Sequence, residues 1–335
     1  MPIELRELAS LPEIVSIEPE WRELWIRDPR ATPFQSPDWL LPWSQYLWGG
    51  GQIRTLALYR DDTLAGLAPF FRWGLGPFCL SFLGSGITDY LDVLAEPDFA
   101  EEVARRIFDW LATQSRDCDW IDLQELRPDS PLIAIAGGQW RTESCAVCPV
   151  LEISATVEQF LAGLDSQFRT SVRRAENRLS RCASLRIVEA GPADVLPLMQ
   201  VLFQLHAARW EERDNPGMLS TAALQAFHRE AALRFERAGV LRLYGLMAEE
   251  RCIAVQYNLA AKGKVYAYLS GFDPEWARYS PGAVLLKHSI ERAIEEGALE
   301  FDFLRKPEPF KYQWGARDRI NSRLMFSRAA HAEVG

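Results

Sequence analysis

Two hydrophobic periods alternate along this chain, and their order repeats. Short runs rich in β-branched and aromatic residues, closed by turn residues, predict strands. Apolar residues spaced by three and four predict helices. From Arg54 to Leu126 the order is strand (RTLALY), charged turn (RDDT), strand (LAGLAPFFRW), strand (FCLSFLGSG), helix (AEEVARRIFDWLATQ) and strand (DWIDLQEL). From Leu241 to Arg305 it is strand (LRLYGLM), charged turn (AEER), strand (CIAVQYNLAA), strand (VYAYLSGF), helix (AVLLKHSIERAIEEG) and strand (LEFDFLR). The second helix carries its apolar stripe on Leu286, Ile290, Ala293 and Ile294, and Gly297 sits where a left-handed C-terminal cap belongs.

Each of these helices joins two strands, and such a crossover implies parallel pairing. The strands before each helix form an antiparallel meander. The expected class is α/β with mixed α+β sheets, a duplicated unit of residues 1–160 and 161–335.

Length and composition fit this reading. A chain of 335 residues suggests about two domains, and 48% hydrophobic with 25% charged residues is normal for globular proteins. No apolar run approaches the ~20 residues that span a bilayer. The start, MPIELRELASLPEI, is acidic and amphipathic, unlike a signal peptide, so a cytoplasmic protein is expected. Six scattered cysteines fit a reducing compartment. Cys145 and Cys148 have CxxC spacing without a second pair, so no metal site is expected. The net charge of −9 argues against nucleic-acid binding by the whole surface.

The two helix starts differ. Before the second stand Arg278, Tyr279, Ser280, Pro281, Gly282 and Ala283. Ser280 suits an N-cap and Pro281 the first helical position. Gly282 permits close approach of a ligand, and free N–H groups at the positive helix end suit phosphate groups. An ordinary capped helix fits the same residues. The first copy instead has Glu96, Asp98, Glu101 and Glu102 there, which would repel an anion.

From these residues the second copy resembles the acyl-CoA half of a GNAT acetyltransferase. That family's phosphate cradle reads Arg/Gln-x-x-Gly-x-Gly/Ala. Arg278 and Ala283 match its ends, and Pro281 replaces the first glycine. Residues 30–328 resemble CelD-like proteins through FQSPDWLLPW, GSGITDYLDVL, LHAARWEERDNPG, YLSGFDPEWARYSPG and FDFLRKPEPFKYQWGA. These also resemble the Fem-type peptidoglycan aminoacyltransferases, which are tandem GNAT folds. The resemblance implies an acetyl-CoA or longer acyl-CoA co-substrate and direct transfer to a sugar, peptide or small-molecule amine held between the two domains. It implies that Leu269 and Ser270 offer a backbone N–H to the thioester carbonyl, with Arg278, Ser280, Pro281, Gly282 and Ala283 cradling phosphates. It further implies that Lys311 contacts an anion on the substrate and that Tyr312 protonates the departing thiolate.

Deprotonating the amine needs a base. Asp302 is polar in a strand expected to be apolar on both faces, so it is a candidate base or the partner of Arg305 or Lys311. Glu308 is a second candidate. His206 lies on a helix over 196–210 and shares a face with Arg209, and an imidazole suits proton transfer at neutral pH. A loop over 214–217 is expected to follow and to be mobile. In the first copy Asp89, Tyr90 and Asp92 follow two glycines around Ser85, as acceptor contacts or as turn residues. Arg209 and Arg305 complete the expected substrate contacts.

Residues 166–182 read as a basic helix near the domain boundary. Phe168, Val172, Ala175, Leu179 and Cys182 share one face, and Arg169, Arg173, Arg174, Arg178 and Arg181 occupy much of the rest. A solvated face fits, and so does a patch for a CoA 3′-phosphate, a phosphorylated glycan carrier or an acidic saccharide. Two further functions match the same residues: a Fem-type aminoacyl transfer from charged transfer RNA, and a non-catalytic partner in polysaccharide biosynthesis.

Overall fold

The computed structural model describes residues 3–153, 156–211, 219 and 221–327, with the backbone alone for 209–211. Its contacts divide the chain into two units, Met1–Val147 with Ile320–Gly335, and Cys148–Arg319. This differs from a single boundary at 160/161. The chain returns to the first unit because its last strand pairs there.

The first unit opens with β1 (Glu4–Leu8) and the helices α1 (Leu11–Ser16), α2 (Glu18–Arg27) and α3 (Pro37–Tyr46). Ser10 and Glu13 start α1 with a reciprocal capping box. The short β2 (Gln52–Ile53) precedes β3 (Thr55–Arg60), β4 (Thr63–Ala68), β5 (Phe70–Trp73), β6 (Cys79–Phe82) and β7 (Leu94–Ala95). Then come α4 (Ala100–Thr113), β8 (Trp120–Leu126), α5 (Pro131–Ile135) and β9 (Arg141–Glu152), which crosses into the second unit. The expected strand over 64–73 is two strands in different sheets. Pro69 between them has no N–H for a ladder, and its carbonyl instead accepts from Leu83 at 2.7 Å. β4 joins the sheet β1-β3-β4-β7, while β5 pairs with β2 and β6. β6 pairs in parallel with β8 across α4, as the crossover requires. Leu58, Phe70, Phe82, Ile107, Trp110 and Leu123 fill the core between sheets and helix.

The second unit runs α6 (Val157–Gly163), α7 (Ser166–Cys182), β10 (Leu185–Glu189), α8 (Val195–Glu211) and α9 (Ala222–Arg237). The meander β11 (Leu241–Ala248), β12 (Arg251–Ala261) and β13 (Lys264–Phe272) follows. Then come α10 (Pro281–Glu295), β14 (Glu300–Asp302), α11 (Pro309–Gln313) and β15 (Arg317–Ser327), whose last residues pair with β8 in the first unit. In this unit the sheet order is β10-β11-β12-β13-β14-β9, and β13 and β14 pair in parallel. Gly297 takes its expected left-handed conformation, at φ 76°, just after α10. Cys182 is exposed and leaves the apolar face of α7 to Val172, Ala175 and Leu179.

Helix α8 presses on the sheet where two glycines allow it. A Cβ on Gly245 would lie 2.8 Å from Leu198 Cδ2, and one on Gly271 would lie 3.0 Å from Leu205 Cβ. Behind this contact, His228 of α9 is fully buried, with Phe227, Tyr257 and Tyr268 around its ring. Burial, with the charge of His206 adding to it, pushes the His228 imidazole down to about 3. The folded value lies below the unfolded one, so the contribution to stability is complete above the unfolded value of about 6.5 and is lost as pH falls towards 3. Its slope is at most about 1.4 kcal/mol per pH unit. His228→Leu should therefore flatten the loss of urea stability between pH 7 and pH 5. An unchanged slope would show that this histidine does not titrate on unfolding.

Candidate active site

The parallel pairing of β13 with β14 is short. It joins Lys264 to Glu300, Val265 to Phe301 and Tyr266 to Asp302, and then stops. β13 runs on to Phe272 with β12 alone as its strand partner. Two local events separate the strands. On β13 a bulge opposite Tyr257 and Asn258 leaves Tyr268 as an extra residue, and such bulges bend a strand and end pairing. After β14 the chain turns towards β9: the Phe303 N–H donates to Pro149 O at 3.0 Å, and Leu304 takes φ 58°. The edge of β13 over residues 267–272 thus faces no strand among the described residues. It holds Leu269, which is buried, and Ser270, which is exposed.

This edge leads into the start of α10. Pro281 is at the first helical position as expected, but Ser280 is not a side-chain cap. Its backbone is left-handed (φ 56°, ψ 49°), and the extended conformation that aims a capping hydroxyl at the helix N–H groups is lost. Its carbonyl accepts from Ala283 at 3.1 Å and Val284 at 3.3 Å. Pro281 has no N–H and that of Ala283 is taken, so the cradle offers few backbone donors. A Cβ on Gly282 would meet Phe272 at an ordinary 3.4 Å, so packing does not demand this glycine. Arg278 is exposed, with its guanidinium 4.7 Å from the Tyr279 ring centroid.

Beyond β14 the expected reaction residues sort by their partners. Asp302 is fully buried, accepts the Leu304 N–H at 2.8 Å and pairs with Arg319 at 3.4 Å. Arg319 also holds Glu300 at 2.8 Å, and neither this arginine nor its role follows from local sequence pattern. Lys311 is buried, where an anion contact was expected. Its Nζ donates to the carbonyls of Arg305 and Lys306, each at 2.8 Å, and to that of Leu304 at 3.4 Å. These match the three donors of an ammonium, and they close a loop in which Leu304 and Lys306 are both left-handed. Glu308 pairs with Lys311 at 3.4 Å, and half-buried Arg305 shares the loop. The Tyr312 hydroxyl donates to Asp318 at 2.6 Å, and that bond pushes its ionisation up to about 12.

His206 is buried on α8, and its backbone N would lie 3.4 Å from a Cβ on Gly271 in the open half of β13. The Arg209 side chain and the loop 214–217 lie outside the described residues. Among the described residues no group of three His, Cys, Asp or Glu is arranged to hold a metal.

In the first unit, Tyr90 is a core residue, not an open contact. Its ring is buried near Phe34, with the Arg127 guanidinium 5.7 Å from its centroid. Asp89 is largely buried, and its carbonyl accepts from Asn321 at 3.3 Å. Asp92 accepts from Ser130 at 3.0 Å and from the Val93 N–H at 2.8 Å, and burial pushes its carboxyl up to about 7. Glu125, at the end of β8, takes φ 59° and accepts from Asn321 at 2.9 Å. Aligning the two crossovers on WIDL and EFDF sets Asp122, which pairs with Arg323 at 2.6 Å, against Asp302.

Residues 166–312 match the acetyltransferase (GNAT) domain model. Among curated proteins there is no match. A FemX structure aligns with a TM-score of 0.67 at 11% identity, covering 97% of each chain. A tandem GNAT protein from the clavulanic acid biosynthesis pathway aligns at 0.51 and 11%, covering 97% of this chain and 98% of that one. L-PGS from Bacillus licheniformis aligns at 0.56 and 12%, covering 86% of each. Residues 166–312 therefore match a GNAT acetyltransferase domain, and the chain shares the fold of these tandem GNAT structures.

The contacts of Lys311 and Tyr312 make different demands. Lys311→Met strands the loop carbonyls and should cost about 3 kcal/mol in urea unfolding, whereas Tyr312→Phe removes one exposed bond and should cost less than about 1 kcal/mol. Equal losses would show that the Lys311 bonds do not hold the loop.

Proposed function

We propose that this protein is an acyl-CoA-dependent N-acyltransferase that moves an acyl group directly from acetyl-CoA or a longer acyl-CoA to an amine. The observation that carries the reading is the open edge of β13, which leads into the start of α10 inside the matched acetyltransferase domain. A strand edge without a partner presents N–H and C=O groups that amides of an extended ligand can pair with. A pantetheine arm is such a ligand. Leu269 and Ser270 lie on that edge, where a backbone N–H would stabilise charge on the thioester oxygen. The amine nitrogen attacks the carbonyl carbon, the C–S bond breaks, and the thiolate takes up a proton as it leaves.

His206 is the base we favour, because its backbone lies beside Gly271 in the open half of β13 and an imidazole suits proton transfer at neutral pH. His206→Asn should lower kcat by about 100-fold or more and leave acyl-CoA affinity unchanged. A kcat within a few-fold of the native value would remove His206 from the chemistry.

Thermal unfolding with acetyl-CoA and with longer acyl-CoAs tests the donor. At about 100 times its dissociation constant the ligand should add about 2.7 kcal/mol of stability. Arg278→Glu should abolish the rise. No rise with any acyl-CoA overturns the reading.

A further inference from the structure

The arginines of this chain divide into two populations. Many hold carboxylates: Arg22 with Asp38, Arg27 with Glu96, Arg242 with Glu296, Arg251 with Asp273, Arg319 with Glu300 and Arg323 with Asp122. Those on α7 do not. Arg169 bonds only the carbonyls of Leu161 and Ala162. Arg173, Arg174, Arg178 and Arg181 are exposed and make no ion pair with any described residue. At 3.6 residues per turn, Arg174, Arg178 and Arg181 fall within a sector of about 60°. Gln167, Thr170, Ser171, Asn177 and Ser180 fill the rest of that face. The helix's one carboxylate, Glu176, is turned to its flank and pairs with Lys287 of α10 at 3.0 Å. In a chain of net charge −9, such a carboxylate-free face is a local exception.

Packing fixes where this ridge ends. Phe168 and Val172 pack with Leu286, Ile290 and Ala293, while Ala175 and Leu179 pack with Val284, Leu285, Trp276 and Tyr279. Helices α7 and α10 therefore run antiparallel, and the last turn of α7 lies beside the first turn of α10. Arg181 belongs to that last turn and Arg178 lies just before it, and exposed Arg278 belongs to the segment just before α10. Asp273 and Glu275 are already paired with Arg251, and Glu249 accepts the Ser184 N–H at 2.7 Å. The segments that carry these three exposed arginines thus lie side by side at one surface edge of the second unit. A planar guanidinium fork suits a phosphate dianion, which takes two or more charge-assisted bonds at once.

We propose that Arg178, Arg181 and Arg278 form a clamp for a phosphomonoester at this edge. On the acyl-CoA reading, from which this follows, the clamp selects a donor with a phosphate on its ribose. It disfavours a dephosphorylated coenzyme or a pantetheine arm on a carrier protein. The recognition element is α7, which precedes the strands and helix of the repeated unit.

The test is calorimetric titration of the full chain with coenzyme A and with 3′-dephospho-coenzyme A, in the native protein and in Arg178→Ala/Arg181→Ala. The native protein should prefer coenzyme A by about 10-fold or more, because each charge-assisted bond contributes that order of affinity. The double variant should bind the two ligands within about 2-fold of each other and hold its native affinity for the dephospho form. Its unfolding temperature should be unchanged, since the replaced side chains make no ion pair among the described residues. Equal native affinity for both ligands overturns the clamp and leaves the acyl-CoA reading standing, as does a preference that survives in the variant. Binding of neither ligand overturns both.

Discussion

The second unit depends on one constraint: β13 and β14 pair over only Lys264–Tyr266 and Glu300–Asp302. A parallel pair that continued would bury both strand edges and leave nothing for a ligand to meet. The bulge at Tyr268 bends β13 from one side, and the left-handed turn at Leu304 carries the chain off from the other. Left-handed backbone at non-glycine residues is costly and persists where its surroundings over-determine it. Lys311 supplies part of that determination, because its ammonium binds the carbonyls on either side of the turn. Asp302 supplies another part through the Leu304 N–H, and Arg319 satisfies its charge. Residues that look catalytic by type therefore hold the opening in place.

The first unit repeats the crossover without repeating the site. β6 and β8 pair in parallel across α4, as β13 and β14 do across α10. Yet Pro69 splits the strand that corresponds to β12, and Glu96 before α4 is an ion-pair partner of Arg27 at 2.6 Å. Carboxylates at a helix start occupy the positive end of its dipole. The same topology thus carries an anion-repelling start in one copy and an arginine-bearing start in the other.

Much of this was legible in the amino-acid sequence, because periodicity reports burial directly. The helices over 100–113, 166–182 and 281–295 and both parallel crossovers follow from apolar spacing and element order. Long-range partners are not encoded that way. Nothing near Asp302 announces Arg319, and nothing near Lys311 announces that its charge is spent on carbonyls five to seven residues back. Ser280 misleads for a related reason: residue type favours a cap, but its left-handed backbone directs the hydroxyl elsewhere. Tyr90 lies in a loop, and its burial near Phe34 depends on an element far away in the chain.

These local details bear on how an anionic ligand is held. A helix start usually binds phosphate through several free N–H groups. Here Pro281 removes one and Ser280 O engages those of Ala283 and Val284, so the dipole and Gly282 act with reduced help. Affinity for a multiply charged donor then has to come from side chains or from the strand edge. The edge of β13 pairs with amides and is indifferent to charge. Cationic side chains without carboxylate partners among the described residues remain, and Arg181 in the last turn of α7 lies beside α10. The acidic balance of the chain sharpens this: against a net charge of −9, a group of arginines without carboxylate partners among the described residues is what attracts an approaching anion.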